Sequence, residues 1–132
     1  MPVVQIDALP QPAAVSITEV MQKVRDAVAS GLDCEPGSVW VTWRTLDAYL
    51  CHDTTPDTQP HQQSPTADEP STHDPILRVM AASGREPQMI AGTLTGASIV
   101  LAGALGLSPG HVFAVYEELK PGRAYTGGAV LG

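Results

Sequence analysis

The chain has 132 residues and a formal net charge of −7, with 14 acidic against 7 basic side chains. That balance argues against nucleic acid and anionic membrane as partners. At 43% hydrophobic residues and a mean hydropathy of +0.02, the length fits one compact domain or two small fused units.

The run Val3-Val4-Gln5-Ile6-Asp7 stands directly behind Met1-Pro2, and strand character extends over residues 3–9. Ser16-Ile17-Thr18-Glu19 is a capping-box pattern, in which Ser16 accepts from first-turn amides and Glu19 reaches back. Ile17, Val20, Met21, Val24, Ala27 and Val28 follow at helical spacing, the apolar face of a helix ending near Gly31. Glu35-Pro36-Gly37 turns the chain into a second strand, Ser38 to Thr45. Residues 51–74 change character: Pro, Thr, Asp, Gln and His dominate and large apolar side chains are missing. His52, His61 and His73, with Asp53, Asp57, Asp68 and Asp74, are spaced irregularly. The stretch reads as a solvated polar insert, and no metal or cofactor is expected.

After the insert, Ile76 to Ala82 reads as a strand, Ser83-Gly84-Arg85 as a turn, and Pro87 as the first turn of a helix running to about Leu105. Ser108-Pro109-Gly110 turns the chain again, His111 to Leu119 is a strand, and Thr126-Gly127-Gly128 suggests a closing hairpin. From Pro87 to Tyr116 there is no Asp, Glu, Lys or Arg, and Gly92-x-x-x-Gly96 resembles a membrane helix-pairing motif. Gln88, Thr93, Thr95 and Ser98 dilute the run, and Ser108-Pro109-Gly110 breaks it. A buried helix is expected there, not a membrane span.

The plan is repeated. Laying Pro2 on Pro75 also lays Leu32 on Leu105, Pro36 on Pro109, Gly37 on Gly110, Val39 on Val112, Leu46 on Leu119 and Trp40 on Phe113, without a gap. Each copy reads β-α-β, with parallel strands and a right-handed crossover. Residues 1–50 form the first unit, 51–74 the insert and 75–132 the second unit with its hairpin, joined in one pseudo-symmetric domain. The expected fold is α/β (α+β), a four-stranded sheet with both helices on one face. Each half, at roughly 55 residues, is too small to be comfortably stable alone. Cys34 and Cys51 form no disulfide framework, and no signal peptide pattern is visible, so free thiols in the cytoplasm are expected.

Pro2 behind a removable methionine, two β-α-β units, and Gly84-Arg85 after the third strand together resemble the tautomerase superfamily. The second copy looks most like a 4-oxalocrotonate tautomerase subunit, through Pro75-Ile76-Leu77-Arg78-Val79, Gly84-Arg85, Ser108-Pro109-Gly110-His111-Val112 and Tyr125-Thr126-Gly127-Gly128. The fused length is similar to malonate semialdehyde decarboxylase, cis-3-chloroacrylic acid dehalogenase and macrophage migration inhibitory factor. The resemblance implies that Pro2, freed of Met1, is a general base. An α-amino group titrates at about 7.7–8.0 in model peptides, and desolvation and a neighbouring cation lower that value. It implies that Arg85 binds a substrate carboxylate, a task its planar fork suits; the first copy has Pro12 at that place.

The family's second substrate arginine is replaced here by Trp40 and Phe113. Arg44, on the same strand face as Trp40, either substitutes or forms a structural salt bridge, and Tyr125 either shapes the pocket or packs the hairpin. The reading that follows is a cofactor-free keto-enol tautomerase acting on a small enol or 2-oxo carboxylate. A decarboxylase or hydratase/dehalogenase of the same superfamily, and a non-catalytic binding protein, remain alternatives. Apolar strand residues Val3, Val4, Ile6, Val39, Val41, Val79 and Val115 suggest that both sheet faces are apolar, and a homotrimer is expected to cover the bare one.

Overall fold

The structure, a computed structural model, describes residues 1–48 and 74–130. Almost all of the 51–74 insert, with Cys51 and its three histidines, lies outside the described residues. Strand β1 (Val3–Ala8) leads into helix α1 (Ile17–Gly31) and strand β2 (Trp40–Thr45). Strand β3 (Ile76–Ala82), helix α2 (Pro87–Leu105) and strand β4 (Phe113–Leu119) repeat the sequence of elements. Two short strands, β5 (Tyr125–Thr126) and β6 (Ala129–Val130), close the described chain. The main sheet has the order β2-β1-β3-β4. The pairs β1·β2 and β3·β4 are parallel and the central β1·β3 pair is antiparallel.

The repeat is carried into atomic register. Val3 pairs with Trp40 and Ile76 with Phe113, so both crossovers set their strands at equivalent residues. In the antiparallel pair Gln5 faces Arg78, the residue 73 positions on, so a pseudo-two-fold axis passes between them. Loop hydrogen bonds obey the same operation. The Val39 amide donates to the Pro36 carbonyl at 3.1 Å and that of Val112 to Pro109 at 3.3 Å. These bonds belong to 3₁₀ turns at Pro36–Ser38 and Pro109–His111. The two outer strands therefore begin at Trp40 and Phe113, two residues later than their apolar pattern suggests.

Helix starts differ between the copies while helix ends agree. Ser16 Oγ accepts from the Glu19 amide at 3.3 Å and caps α1. Helix α2 starts three positions earlier in the repeat register on Pro87, with Glu86 making no side-chain cap. Both helices end on a left-handed residue, Asp33 (φ 53°) and its equivalent Gly106 (φ 74°), and the next amide returns to the last turn. Cys34 donates to Ala29 at 3.0 Å and Leu107 to Ala102 at 2.8 Å.

Both helices lie on one sheet face. Val4, Ile6, Ala8, Leu77, Val79 and Ala81 point into the helix layer and are at most 1% exposed. They meet Val20, Val24, Val28, Ala97, Leu101 and Leu105 from the helices. The helices touch closely where Gly31 of α1 meets Thr93 of α2. Helix α2 is long and apolar enough to span a membrane by length and composition; here it packs on α1 and the sheet.

The other face corrects one expectation. Because strand side chains alternate, Val4, Ile6, Val41 and Val79 all lie on the helix side. The open face carries Val3, Trp40, Ile76, Met80, Phe113 and Val115 among Gln5, Asp7, Thr42, Arg44, Arg78 and Glu117. Two ion pairs cross it: Arg44 to Asp7 at 2.7 Å and Arg78 to Glu117 at 3.1 Å. Arg78 also donates to Gln5 at 3.3 Å. It is a mixed face, not an apolar one.

Candidate active site

Pro2 is buried, and Met1 before it is half exposed. Pro2 continues β1 at the end of the sheet where β1 and β2 begin and β3 and β4 finish. Its carbonyl accepts from the Trp40 amide at 3.0 Å, as that of Pro75 accepts from Phe113 at 3.0 Å. Pro75 is bonded through its nitrogen to Asp74, and its counterpart Pro2 to Met1.

Three further elements reach this end. Strand β3 finishes at Ala82, and Gly84, at φ 103°, turns the chain into α2 with Arg85 on the turn. A side chain at Gly84 would be strained, since positive φ is open mainly to glycine. Arg85 donates from Nη1 to the Ala82 carbonyl at 3.1 Å, which holds its guanidinium beside the end of β3. It has no carboxylate partner among the described residues. The β5–β6 hairpin, with Gly127 (φ 61°) and Gly128 (φ 85°) at its turn, brings Thr126 Oγ1 within 3.3 Å of Met1 Sδ. Tyr125, next to Thr126, is 71% exposed. Trp40, 55% exposed, stands on the open face beside Val3.

The six residues singled out from sequence therefore divide. Pro2, Trp40, Arg85 and Tyr125 gather at one end of the sheet. Arg44 and Phe113 do not: they are level with Asp7, in the row Arg44–Asp7–Ile76–Phe113. Five residues of strand separate that row from Pro2, about 17 Å at the strand rise. Arg44 spends its charge on Asp7 there, the structural salt bridge of the two readings left open by sequence. Thr126, a hairpin residue in the sequence pattern, is also a contact to Met1.

The pseudo-equivalent end is chemically different. Pro12 replaces Arg85, and Asp74 stands in the repeat position of Met1. Asp74 pairs with His111 Nδ1 at 3.2 Å, both side chains well exposed. Two shallow clefts, of about 280 and 400 Å³, lie between α1 and β2 and between α2 and β4. They are equivalent by the repeat, and neither includes Pro2 or Arg85. Among the described residues no group of three or more His, Cys, Asp or Glu side chains is placed to hold a metal.

No protein-family model and no curated protein sequence matches the chain. Solved structures do. Pt0534 inactivated by 2-oxo-3-pentynoate superposes with a TM-score of 0.75 at 15% identity, over 98% of this chain and 94% of that one. A wild-type fused 4-OT, an asymmetric trimer designated F6, gives 0.74 at 14%, over 98% and 95%. Macrophage migration inhibitory factor of Toxoplasma gondii gives 0.67 at 14%, over 97% and 98%. The fold of this chain is the fold that fused 4-OT, Pt0534 and macrophage migration inhibitory factor share.

Proposed function

We propose that the chain is a catalytic member of the tautomerase superfamily, a cofactor-independent keto-enol tautomerase of small carboxylate-bearing enols or 2-oxo acids. Pro2, once Met1 is removed, is the general base. Its nitrogen takes the proton of the enol oxygen, the electron pair moves through the conjugated system, and the same proton returns to carbon. A free secondary amine at Pro2 can take up a proton and give it back. Arg85 holds the carboxylate, and Trp40 and Tyr125 wall the site. The observation that carries this reading is that buried Pro2 and Arg85, which has no carboxylate partner among the described residues, lie at the same end of the sheet. It is supported by likeness to a protein that 2-oxo-3-pentynoate, a small 2-oxo compound, inactivates.

The working unit in this reading is a homotrimer, as in the fused 4-OT trimers of the same fold. The test is a Pro2→Ala variant of normal fold and normal mass in light scattering. It should lose turnover of 2-hydroxymuconate or phenylenolpyruvate; a rate equal to wild type would end the assignment. Carbon dioxide release from a 3-oxo acid would instead assign decarboxylation.

A binding role has one observation in its favour. Thr126 grips Met1, and a retained methionine acylates Pro2 and abolishes its basicity. Intact mass of the protein from its native cell decides between the two.

A further inference from the structure

The β5–β6 hairpin is barely tied to the rest of the described chain. Its strands form a two-stranded sheet of their own, Tyr125 opposite Val130 and Thr126 opposite Ala129. Neither makes more than a slight contact with another strand or helix. Tyr125, Ala129 and Val130 are exposed, and Thr126 is the one residue of the two strands that is not. Its Oγ1 donates to Met1 Sδ at 3.3 Å. Among the described residues that is the hairpin's one hydrogen bond to the rest of the chain. An isolated two-stranded hairpin is at best marginally stable in water, so this contact decides where the hairpin rests.

The repeat gives the contact a counterpart. Asp74, the residue before Pro75, pairs with His111 Nδ1 at 3.2 Å and fastens the start of the second unit to the turn before β4. Met1, the residue before Pro2, fastens the start of the first unit to the hairpin instead. The two fasteners differ in permanence: Asp74 lies within the chain, and Met1 is lost when Pro2 is freed, as the reading of Pro2 as a base requires. The connection behind the hairpin puts up little resistance. Gly122, at φ 80°, lies in a turn closed by the Arg123 amide on the Lys120 carbonyl at 3.1 Å, and every residue from Lys120 to Arg123 is exposed. The hairpin can therefore swing away without disturbing the core.

We propose that Met1 is a removable clasp: while it is attached the hairpin is held against the Pro2 end, and its excision frees the Pro2 nitrogen and the hairpin together. The proposal rests on the excision of Met1 invoked above. In that step an aminopeptidase adds water across the Met1–Pro2 peptide bond; methionine leaves with the new carboxylate, and Pro2 keeps the secondary amine. The thioether to which Thr126 donates departs in the same event. The Pro2 end is closed before maturation and open after it.

Limited trypsin digestion of the full-length protein with and without Met1 tests the clasp. Expression with and without an inhibitor of methionine aminopeptidase supplies the two forms, and intact mass identifies them. Trypsin cuts the connection at Arg123–Ala124, Lys120 being shielded by Pro121, and the Arg85–Glu86 bond after β3 is the internal standard. With Met1 attached, Arg123–Ala124 should be cut about three- to tenfold more slowly, the scale of one hydrogen bond on a hairpin that opens and closes faster than it is cut. Arg85–Glu86 should be cut at one rate in both forms. Thr126→Val should raise the Met1 form to the rate of the processed form, and Thr126→Ser should keep the slow rate. Equal cleavage of the two forms at Arg123 overturns the proposal, whether another copy holds the hairpin or nothing does. So does a change at both bonds together, or a Thr126→Val variant as slow as wild type. Turnover is a separate reading: a Pro2→Ala variant that keeps full activity removes the base assignment and leaves the difference in cleavage standing.

Discussion

Gly31 is the narrowest point between the helices, and filling it should be the most informative single change to the fold. A Cβ built there meets Thr93 Oγ1 and lies 2.9 Å from both the Cα and the Cβ of Thr93. Thr93 cannot swing aside cheaply, since two of the three atoms are at its backbone end and its hydroxyl donates to the Met89 carbonyl at 2.8 Å. The helices must separate by several tenths of an ångström, and overpacking of this kind costs about 1–3 kcal/mol. Replacing glycine by alanine in a helix returns about 0.5–1 kcal/mol, less at a last residue such as Gly31. A control isolates the clash. Gly92, on the exposed side of α2, has no atom within 4 Å of a built Cβ, so Gly92→Ala should only gain the helical preference. The gap between the two variants should therefore be about 1–3 kcal/mol, Gly31→Ala below wild type and Gly92→Ala above. Urea unfolding at one fixed protein concentration reads it as opposite shifts of midpoint at unchanged slope. If Gly31→Ala is as stable as Gly92→Ala, the close crossing described here is wrong.

Leu101, fully buried between the helix layer and the sheet, should lose about 2–5 kcal/mol on truncation to alanine. Ile99, 52% exposed on the same helix, should change stability by less than about 0.5 kcal/mol, and paired urea melts compare the two. Arg44 is largely exposed, so a double-mutant cycle with Asp7 should return a coupling of only about 0.2–1 kcal/mol despite the 2.7 Å contact; several kcal/mol would show it buried against another copy. Light scattering at micromolar concentration should give three times 13.8 kDa, and a stable monomer would refute the trimer.

Much of the fold was legible because one pattern occurs twice. Pro36-Gly37 and Pro109-Gly110 fixed where the outer strands begin, and Leu32 and Leu105 where the helices stop, to within two residues. Each signal there is local: a proline that cannot donate, a glycine or aspartate that tolerates positive φ. What stayed hidden depended on pairing between the copies. Which face of β1 turns to the helices cannot be told from Val3, Val4 and Ile6 alone, and a wrong phase makes a mixed face look apolar. The division of the site residues has the same origin. Trp40 and Arg44 share a strand and a face, yet the antiparallel meeting of β1 and β3 makes their ends of the sheet distinct. Arg44 had its answer in Asp7, on the neighbouring strand and 37 residues away in sequence.

The pair Gln5–Arg78 on the pseudo-two-fold axis shows what joining the halves in one chain permits. In an assembly of two identical subunits the residue on the axis faces its own copy, so an arginine there would meet an arginine. Here the position holds glutamine in one half and arginine in the other, and a neutral amide accepts from the guanidinium. Each half can drift without dragging its twin along. Helix α1 has Glu19, Lys23, Arg25 and Asp26 where α2 has Gly92, Gly96, Ser98 and Ile99, and Arg85 stands where the first half has Pro12. A mutation at one end of this sheet is a private event, and the two ends are free to become different machines.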